Sequence, residues 1–294
     1  MVIVSCVNMP LWIRTRLLFL ILFLSVNISL IILTYAPAES AEQNLVVRFL
    51  DVGQGDSIHV VTPDGFEVLV DGGATASVLR KLSQGRSFFD RKIDMVVATH
   101  PDSDHIAGLV DVMKRYEVEY IFRTNNINVT PASVAFDDYA EKEKAKVVMV
   151  QAGQVVRVGA STTIEFFAPE GDTANWPSNN SSIVLCVTYG DIDFLLTGDA
   201  PKAVEENIVR LYGDRLESEV LKLGHHGSDT SSSQTFLDVV KPEVAVVSAG
   251  KENRYGHPHP KVLERILGSG IDVVSTAESG TITFVTDGSR VWRE

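Results

Sequence analysis

The chain has 294 residues, of which 45% are hydrophobic and 22% are charged, and two are cysteines. This apolar share suffices for a packed core and excludes a chain that is disordered throughout, and two cysteines exclude a disulfide-stapled scaffold. Acidic residues outnumber basic residues by 38 to 26, which gives a net charge of −12 at pH 7. Such a chain has no general attraction to nucleic-acid phosphates, so nucleic-acid chemistry would need bound cations or a local basic patch.

Residues 1–41 differ in composition from the rest of the chain. Arg14 and Arg16 precede an apolar run at residues 17–33, and the small residues of the segment 36–41 follow it. A basic start, an apolar middle and a small-residue end are typical of a secretory signal peptide. A run of about 17 residues is also the lower limit for a membrane span, so an uncleaved anchor is the alternative. The sequence therefore predicts an extracytoplasmic protein, either secreted or periplasmic, or one that is anchored to the membrane by residues 17–33.

From Leu45 onward, strand and helix patterns alternate through one predicted domain at residues 45–287. In its first half the predicted strands are Leu45–Asp51, Ser57–Thr62, Phe66–Asp71, Ile93–Thr99, Val118–Phe122 and Val147–Val150, and the predicted helices are Thr75–Ser83, His105–Arg115 and Pro131–Lys144. In its second half the predicted strands are Thr162–Ala168, Ser182–Tyr189, Ile192–Thr197, Val220–Leu223, Val244–Ser248, Asp272–Ser275 and Thr281–Val285, and the predicted helices are Pro201–Tyr212, Ser233–Val240 and Pro260–Leu267. Two halves of this kind predict an α/β fold in which two sheets pack face to face with helices outside.

One short segment concentrates four potential metal ligands at a predicted strand-to-helix turn. The strand Ile93–Thr99 leads directly into His100, Asp102, Asp104 and His105. Positions 100, 102 and 104 point the same way from an extended backbone, and position 105 begins the helix beside them. Imidazole and carboxylate together suit zinc or manganese, whereas carboxylates alone suit calcium or magnesium. The alternative is a polar loop in which Asp104 caps the helix, and this role is compatible with metal binding.

Further polar motifs follow other predicted strands. They are Asp71-Gly72-Gly73, Thr197-Gly198-Asp199, His225-His226-Gly227 and the segment from Tyr255 to Pro260. Six of the seven histidines lie in these motifs or in the segment that starts at His100. Because functional loops gather at one edge of a rigid sheet, the motifs predict one shared site.

In this order the motifs resemble those of the metallo-β-lactamase superfamily. Together with the opening segment from Phe49 to Ser57 and the segment from Gly256 to Pro260, they are similar to the extracytoplasmic hydrolase-like domain of ComEC-type DNA-uptake proteins. The similarity extends from about Val46 to Val285. It implies an αββα sandwich with a site for one or two metal ions at one sheet edge. It also predicts a stand-alone exported relative, since the membrane-channel domain of ComEC-type proteins has no counterpart in this sequence.

The resemblance assigns metal-ligand positions to particular residues. They are His100, Asp102, Asp104, His105, Asp199 and His225, with Asp199 as the carboxylate that bridges two ions. Asp102 stands where many members have histidine, as is usual in the ComEC-like branch. The segment 178–181 lacks the superfamily's middle histidine, so one metal position is expected to be weak or a single ion is expected to bind. His257 matches a late histidine that faces the substrate in related enzymes. Asp104 and His257 are therefore the candidate catalytic residues, and the roles of His226 and His259 stay open.

These features predict a hydrolase that depends on one or two ions of Zn²⁺ or Mn²⁺ and acts on a phosphodiester. Asp104 would orient a metal-activated hydroxide, and His257 would donate a proton or bind a substrate oxygen. The substrate is DNA or a small or cell-wall phosphodiester; the acidic balance favours the latter unless Lys222, Lys251 and Arg254 form a basic patch. No obligate protein partner is indicated, and membrane contact is expected only through an uncleaved N-terminal segment. The alternatives are β-lactam or lactone hydrolysis and a non-catalytic binding module that retains the fold.

Overall fold

The computed structural model describes residue 10 and residues 15–25, 44–84, 86–87 and 90–294. The chain divides into two units, Met1–Glu42 and Gln43–Glu294. In the first unit, residues 15–25 form a helix, α1, which contains residues 17–25, the described part of the predicted apolar run. The predicted cleavage zone at residues 36–41 lies outside the described residues. Among the residues that are described, no helix combines the length and the apolarity that a membrane crossing requires.

The second unit is built on two mixed β-sheets. Its strands are β1 (Leu45–Phe49), β2 (Ile58–Val61), β3 (Glu67–Val70), β4 (Lys92–Ala98), β5 (Glu117–Arg123), β6 (Lys146–Met149), β7 (Val155–Val158), β8 (Thr162–Ala168), β9 (Val184–Tyr189), β10 (Ile192–Leu196), β11 (Val220–Lys222), β12 (Val244–Val247), β13 (Asp272–Ser275), β14 (Ile282–Thr286) and β15 (Val291–Arg293). The first sheet has the order β15-β14-β1-β2-β3-β4-β5-β6, and the second has the order β13-β12-β11-β10-β9-β8-β7. Strands β3 to β6 run parallel in the first sheet, as β10 to β13 do in the second, and the remaining pairs are antiparallel.

Helices cover the outer face of each sheet. They are α2 (Ser77–Leu82), α3 (Ser103–Met113), α4 (Pro131–Glu143), α5 (Lys202–Tyr212), α6 (Gln234–Val240), α7 (Pro260–Gly268) and α8 (Thr276–Ser279). One apolar core fills the space between the sheets and includes Phe49, Phe166 and Phe194. A second core packs α2, α3 and α4 on the first sheet, and a third packs α5, α6 and α7 on the second. The predicted sandwich of two sheets with helices outside is confirmed.

The helix after β4 begins earlier than its sequence pattern predicted. α3 starts at Ser103, so Asp104 and His105 lie in its first turn, and Asp102 takes the N-cap position with extended backbone angles. The expectation that Asp104 caps this helix was therefore wrong. Its carboxylate is still favourably placed, because the amino end of a helix carries partial positive charge.

Two edge strands were missed by the sequence analysis. β7 is the last strand of the second sheet and β15 is an outer strand of the first. Both are short and largely solvent-accessible, so they lack the buried alternation that marks a strand in a sequence.

Candidate metal centre

The polar motifs at the strand ends meet at one edge of the sandwich. β4 of the first sheet leads to the ligand-rich turn before α3, while β10 and β11 of the second sheet lead to Asp199 and to the two adjacent histidines. The carboxyl ends of these strands therefore supply both walls of one site. The structure brings together ligand atoms within 4.8 Å of one another in overlapping groups, which include His100, Asp104, His105, Asp199 and His226.

Asp71, at the end of β3, orients two histidines of this cluster. Its buried carboxylate accepts hydrogen bonds from His105 Nδ1 at 2.7 Å, from Thr99 Oγ1 at 2.6 Å and from the Thr99 amide at 2.9 Å. Because the Thr99 hydroxyl donates to Asp71, its oxygen accepts from His100 Nδ1 at 3.1 Å. Both rings therefore carry a proton on Nδ1 and direct Nε2 toward the cluster. This is the arrangement by which outer residues orient metal-binding histidines.

The two histidines after β11 both approach Asp199. His226 donates from Nδ1 to the Ser248 carbonyl at 2.9 Å, and its Nε2 lies 3.4 Å from Asp104 Oδ2 and 3.5 Å from Asp199 Oδ2. His225 is more exposed, and its Nε2 lies 3.9 Å from Asp199 Oδ2. Both have positive φ angles, 49° and 56°, so the backbone here is in a left-handed conformation that few side chains adopt. His226, whose role the sequence left open, is thus the more deeply placed of the pair.

Four buried polar atoms of His100, His105, Asp199 and His226 have no hydrogen-bond partner within the described part of the chain. They are Nε2 of the three histidines and Oδ1 of Asp199, and both carboxylate oxygens of the adjacent Asp56 also lack one. Leaving one such atom unpaired costs about 1–3 kcal/mol, so four at one place indicate a missing common partner. Imidazole nitrogens and carboxylate oxygens are a donor set for zinc and related transition metals. The residues present therefore fit a divalent metal ion.

The electrostatics of the cluster also favour a cation. Although burial opposes protonation of His226, the neighbouring carboxylates of Asp199 and Asp104 raise its pKa to about 9. Burial also opposes protonation of His105, but the carboxylates of Asp199 and Asp71 outweigh it and hold the pKa of His105 well above its usual range. Burial, reinforced by the neighbouring charge of His105, lowers the pKa of His100 to about 4. Positive charge is thus already drawn into the cluster, and a metal ion that binds there would displace protons.

Asp102 lies at the margin of the cluster. Its Oδ1 accepts from Ser178 Oγ at 2.6 Å and from Asn128 Nδ2 at 3.4 Å, and its Oδ2 lies 3.7 Å from His100 Nε2. Its side chain is 35% exposed. Within the described residues, neither Asp102 nor His225 joins the groups whose ligand atoms all lie within 4.8 Å. The segment Ser178–Ser181, where the histidine of the superfamily pattern is lacking, thus supplies a hydrogen bond to Asp102.

Two buried charges that the sequence analysis did not assign to the site lie beside it. Lys222, at the end of β11, is fully buried, forms an ion pair with Asp56 and donates to the Gly198 carbonyl at 2.8 Å. Its Nζ lies 3.7 Å from Asp199 Oδ1. Lys222 therefore does not contribute to a surface basic patch, because it is inside the protein. The available signals were the polar Asp56 within the Phe49–Ser57 motif and a single lysine inside an apolar strand.

The segment after β12 forms one wall beside the cluster. The His257 ring lies 5.5 Å from the His225 ring and stacks at 5.8 Å on Tyr255. Asn253 fixes this loop by accepting from the His257 amide at 2.9 Å and donating to its carbonyl at 2.6 Å. A cavity of about 450 Å³ lies between this loop and Asp104. His259 caps α7 by accepting from the Lys261 amide at 3.3 Å, which is a structural role.

Comparison with known proteins agrees with this architecture. The family model of the metallo-beta-lactamase superfamily matches residues 50–251. The chain is 31% identical to ComE operon protein 3 of Bacillus subtilis over 81% of this chain and 32% of that protein, and 34% identical to Competence protein ComA of Neisseria gonorrhoeae over 85% and 34%. It thus spans about a third of the length of these curated relatives.

A solved structure shows the same fold. Igni18, described as a novel metallo hydrolase from the hyperthermophilic archaeon Ignicoccus hospitalis, superposes with a TM-score of 0.52 at 17% identity, over 81% of this chain and 98% of that one. At this identity the likeness concerns the fold alone. The matched family model, the competence-protein relatives and the layered sheets lead to one conclusion. The chain belongs to the metallo-beta-lactamase superfamily.

Proposed function

We propose that this chain is an exported, metal-dependent phosphodiesterase of the nuclease-like kind. The observation that carries the proposal is the convergence of three buried Nε2 atoms and an Asp199 oxygen, which lack partners among the residues described. Members of the superfamily are generally metal-dependent hydrolases, and the competence-protein relatives favour a phosphodiester substrate. Export is proposed from the composition of residues 1–41.

The metal would be held by the residues that already surround the unpartnered atoms. They are His100, Asp104, His105, Asp199 and His226, with Asp102 and His225 at the margin. The mixed nitrogen and oxygen donors favour Zn²⁺ or Mn²⁺, as one or two ions. When bound, such an ion supplies a Lewis acid for a phosphoryl oxygen and lowers the pKa of water.

Two residues of the chain would act on the reacting groups. Asp104 lies in the first turn of α3 and lines the cavity of about 450 Å³, so its carboxylate can accept a hydrogen bond from the attacking water and orient it. His257 lies beside His225, outside the ligand groups, and would bind a substrate oxygen. Arg254 also lines this cavity, and its guanidinium can pair with the phosphate of a substrate.

Assays of the chain of residues 1–294 test this proposal directly. After chelation and reloading with Zn²⁺ or Mn²⁺, we expect it to hydrolyse bis-p-nitrophenyl phosphate and single-stranded DNA, and to lose both activities when chelated again. A chromogenic β-lactam and a lactone serve as control substrates. Faster turnover of either control, or bound metal without phosphodiester cleavage, would contradict the proposal, and the second outcome would favour a binding module.

A further inference from the structure

A lysine that is completely buried against the metal centre requires a reason. Moving an ammonium group from water into a protein interior costs several kcal/mol unless opposite charges surround it. Lys222 is enclosed between Asp56 and Asp199, which are themselves 1% and 3% exposed. Its third contact, the Gly198 carbonyl, also belongs to the loop that carries Asp199. The ammonium therefore contacts the two buried carboxylates beside the metal centre and the backbone of the loop that carries one of them.

Asp56 links this ammonium to the histidines. Its Oδ2 pairs with Lys222, and its Oδ1 lies 3.4 Å from His226 Nδ1. Gly55 allows this approach, since a Cβ at that position would lie 2.0 Å from the Asp104 carbonyl oxygen. Asp56 is thus held on the inner side of the cluster, where the β1–β2 loop packs against the start of α3.

The inner side of the cluster has the geometry of a cation site. Two groups of ligand atoms within 4.8 Å include Asp56, one with Asp71 and His105 and the other with Asp199 and His226. A metal ion in either group would contact the carboxylate that already pairs with the Lys222 ammonium. Two cations at that carboxylate would repel each other strongly in the protein interior.

We propose that Lys222 is a built-in counter-ion of the metal centre, whose ammonium holds the inner carboxylates in place of a metal ion. The metal is thereby confined to the outer groups, which contain His100, Asp104, His105, Asp199 and His226. Lys222 also neutralises part of the charge of Asp199, so the acidic cluster can fold before metal arrives. Lys222 is a positioning residue that acts through Asp56 and Asp199. This role rests on the metal binding proposed above but not on the phosphodiester substrate.

Variants that remove either charge of the Asp56–Lys222 pair should change Zn²⁺ affinity in opposite directions. In Lys222→Met the carboxylates lose their counter-charge, so we expect Zn²⁺ affinity to rise at least about 10-fold, because a unit charge a few ångströms away in the interior outweighs that factor. In Asp56→Asn the ammonium is left facing Asp199, and Zn²⁺ affinity should fall by at least about the same factor. The double variant restores the charge balance and should bind Zn²⁺ within about 3-fold of the wild type. Lys241→Met, which removes an exposed lysine paired with Glu217, is the matched control and should change nothing.

Two readouts decide the matter: Zn²⁺ affinity by chelator competition, and thermal unfolding with and without Zn²⁺. The metal-free Lys222→Met protein should lose more Tm than its Zn²⁺-loaded form, because the ion supplies the missing positive charge. Equal losses in both forms, or affinity changes of the same sign in Lys222→Met and Asp56→Asn, would overturn the counter-ion role. If Lys222→Met is not recovered folded, unchanged affinity in Asp56→Asn or a double variant weaker than Asp56→Asn overturns it. A wild-type chain that binds no metal overturns both this role and the proposed function, whereas bound metal without turnover contradicts only the latter.

Discussion

Replacing Asp71 by asparagine perturbs the metal centre without replacing any of the proposed metal ligands. The carboxylate accepts three hydrogen bonds, two from Thr99 and one from His105. An amide of the same size offers a single acceptor oxygen and brings an NH₂ group among these donors. With the amide oxygen kept on the Thr99 backbone, the NH₂ faces the Thr99 hydroxyl and His105 Nδ1.

The expected loss follows from this geometry. Relieving the clash requires His105 to move its proton from Nδ1 to Nε2, which blocks the nitrogen that the metal would use. A hydrogen bond to a charged group contributes about 1.5–3 kcal/mol, so losing one should lower Tm by roughly 3–12 °C for a unit of this size. Mutating a residue that orients a ligating histidine typically weakens metal affinity about 10–100-fold, and we expect Asp71→Asn to weaken Zn²⁺ binding within that range.

The assay is Zn²⁺ competition with a chelator, measured beside thermal unfolding. Asp94→Asn is the control, since Asp94 also accepts a backbone hydrogen bond, from Glu67 at 2.9 Å, but lies near the amino end of β4, away from the cluster. Wild-type Zn²⁺ affinity in Asp71→Asn would refute the claim that this carboxylate sets the histidine tautomers. A loss of affinity in Asp94→Asn of the same size would show that the effect is not local.

Three further outcomes are expected. Asp104→Asn should retain most of its metal but lower phosphodiester turnover at least about 100-fold, the scale for a lost acid–base group; wild-type rates would reject that role. His226→Ala should lose Zn²⁺, and His225→Ala should lose less, whereas His257→Ala should keep the metal and turn over slowly; the reverse pattern in elemental analysis would exchange these assignments. Exported protein should begin between about residues 37 and 44 by N-terminal sequencing, and an intact leader in the membrane fraction would identify an anchor instead.

The sequence was sufficient to identify which segments form the site, but not how their side chains are arranged in it. Each ligand motif stands at the end of a periodic apolar run, and both features are local in the chain, so the segments around His100, Asp199 and His225 were recognisable. The choice between two adjacent histidines was not, because left-handed backbone angles decide which ring turns inward. The Asp56–Lys222 pair joins the β1–β2 loop of the first sheet to strand β11 of the second, and only the packed sandwich brings its two charges together.

The metal ligands on the two sides of the centre differ in how rigidly they are fixed before a metal binds; one side contains His105 and His226, and the other contains His100 and Asp102. His105 and His226 are buried, and each donates its second ring nitrogen to a buried acceptor, Asp71 or the Ser248 carbonyl. On the other side, His100 is buried and held in the same way through Thr99, but Asp102 is 35% exposed and its carboxylate already accepts a hydrogen bond from Ser178.

A ligand that is already fixed loses little freedom when it binds a metal, whereas an exposed, engaged carboxylate must first be freed. A first Zn²⁺ ion should therefore bind on the side of His105 and His226, and any second ion should bind more weakly beside His100 and Asp102. Stepwise Zn²⁺ titration should show that His226→Ala removes the tighter step and that Asp102→Ala affects only the weaker one. Loss of the tighter step in Asp102→Ala would mean that burial and second-nitrogen hydrogen bonds do not set the order of filling.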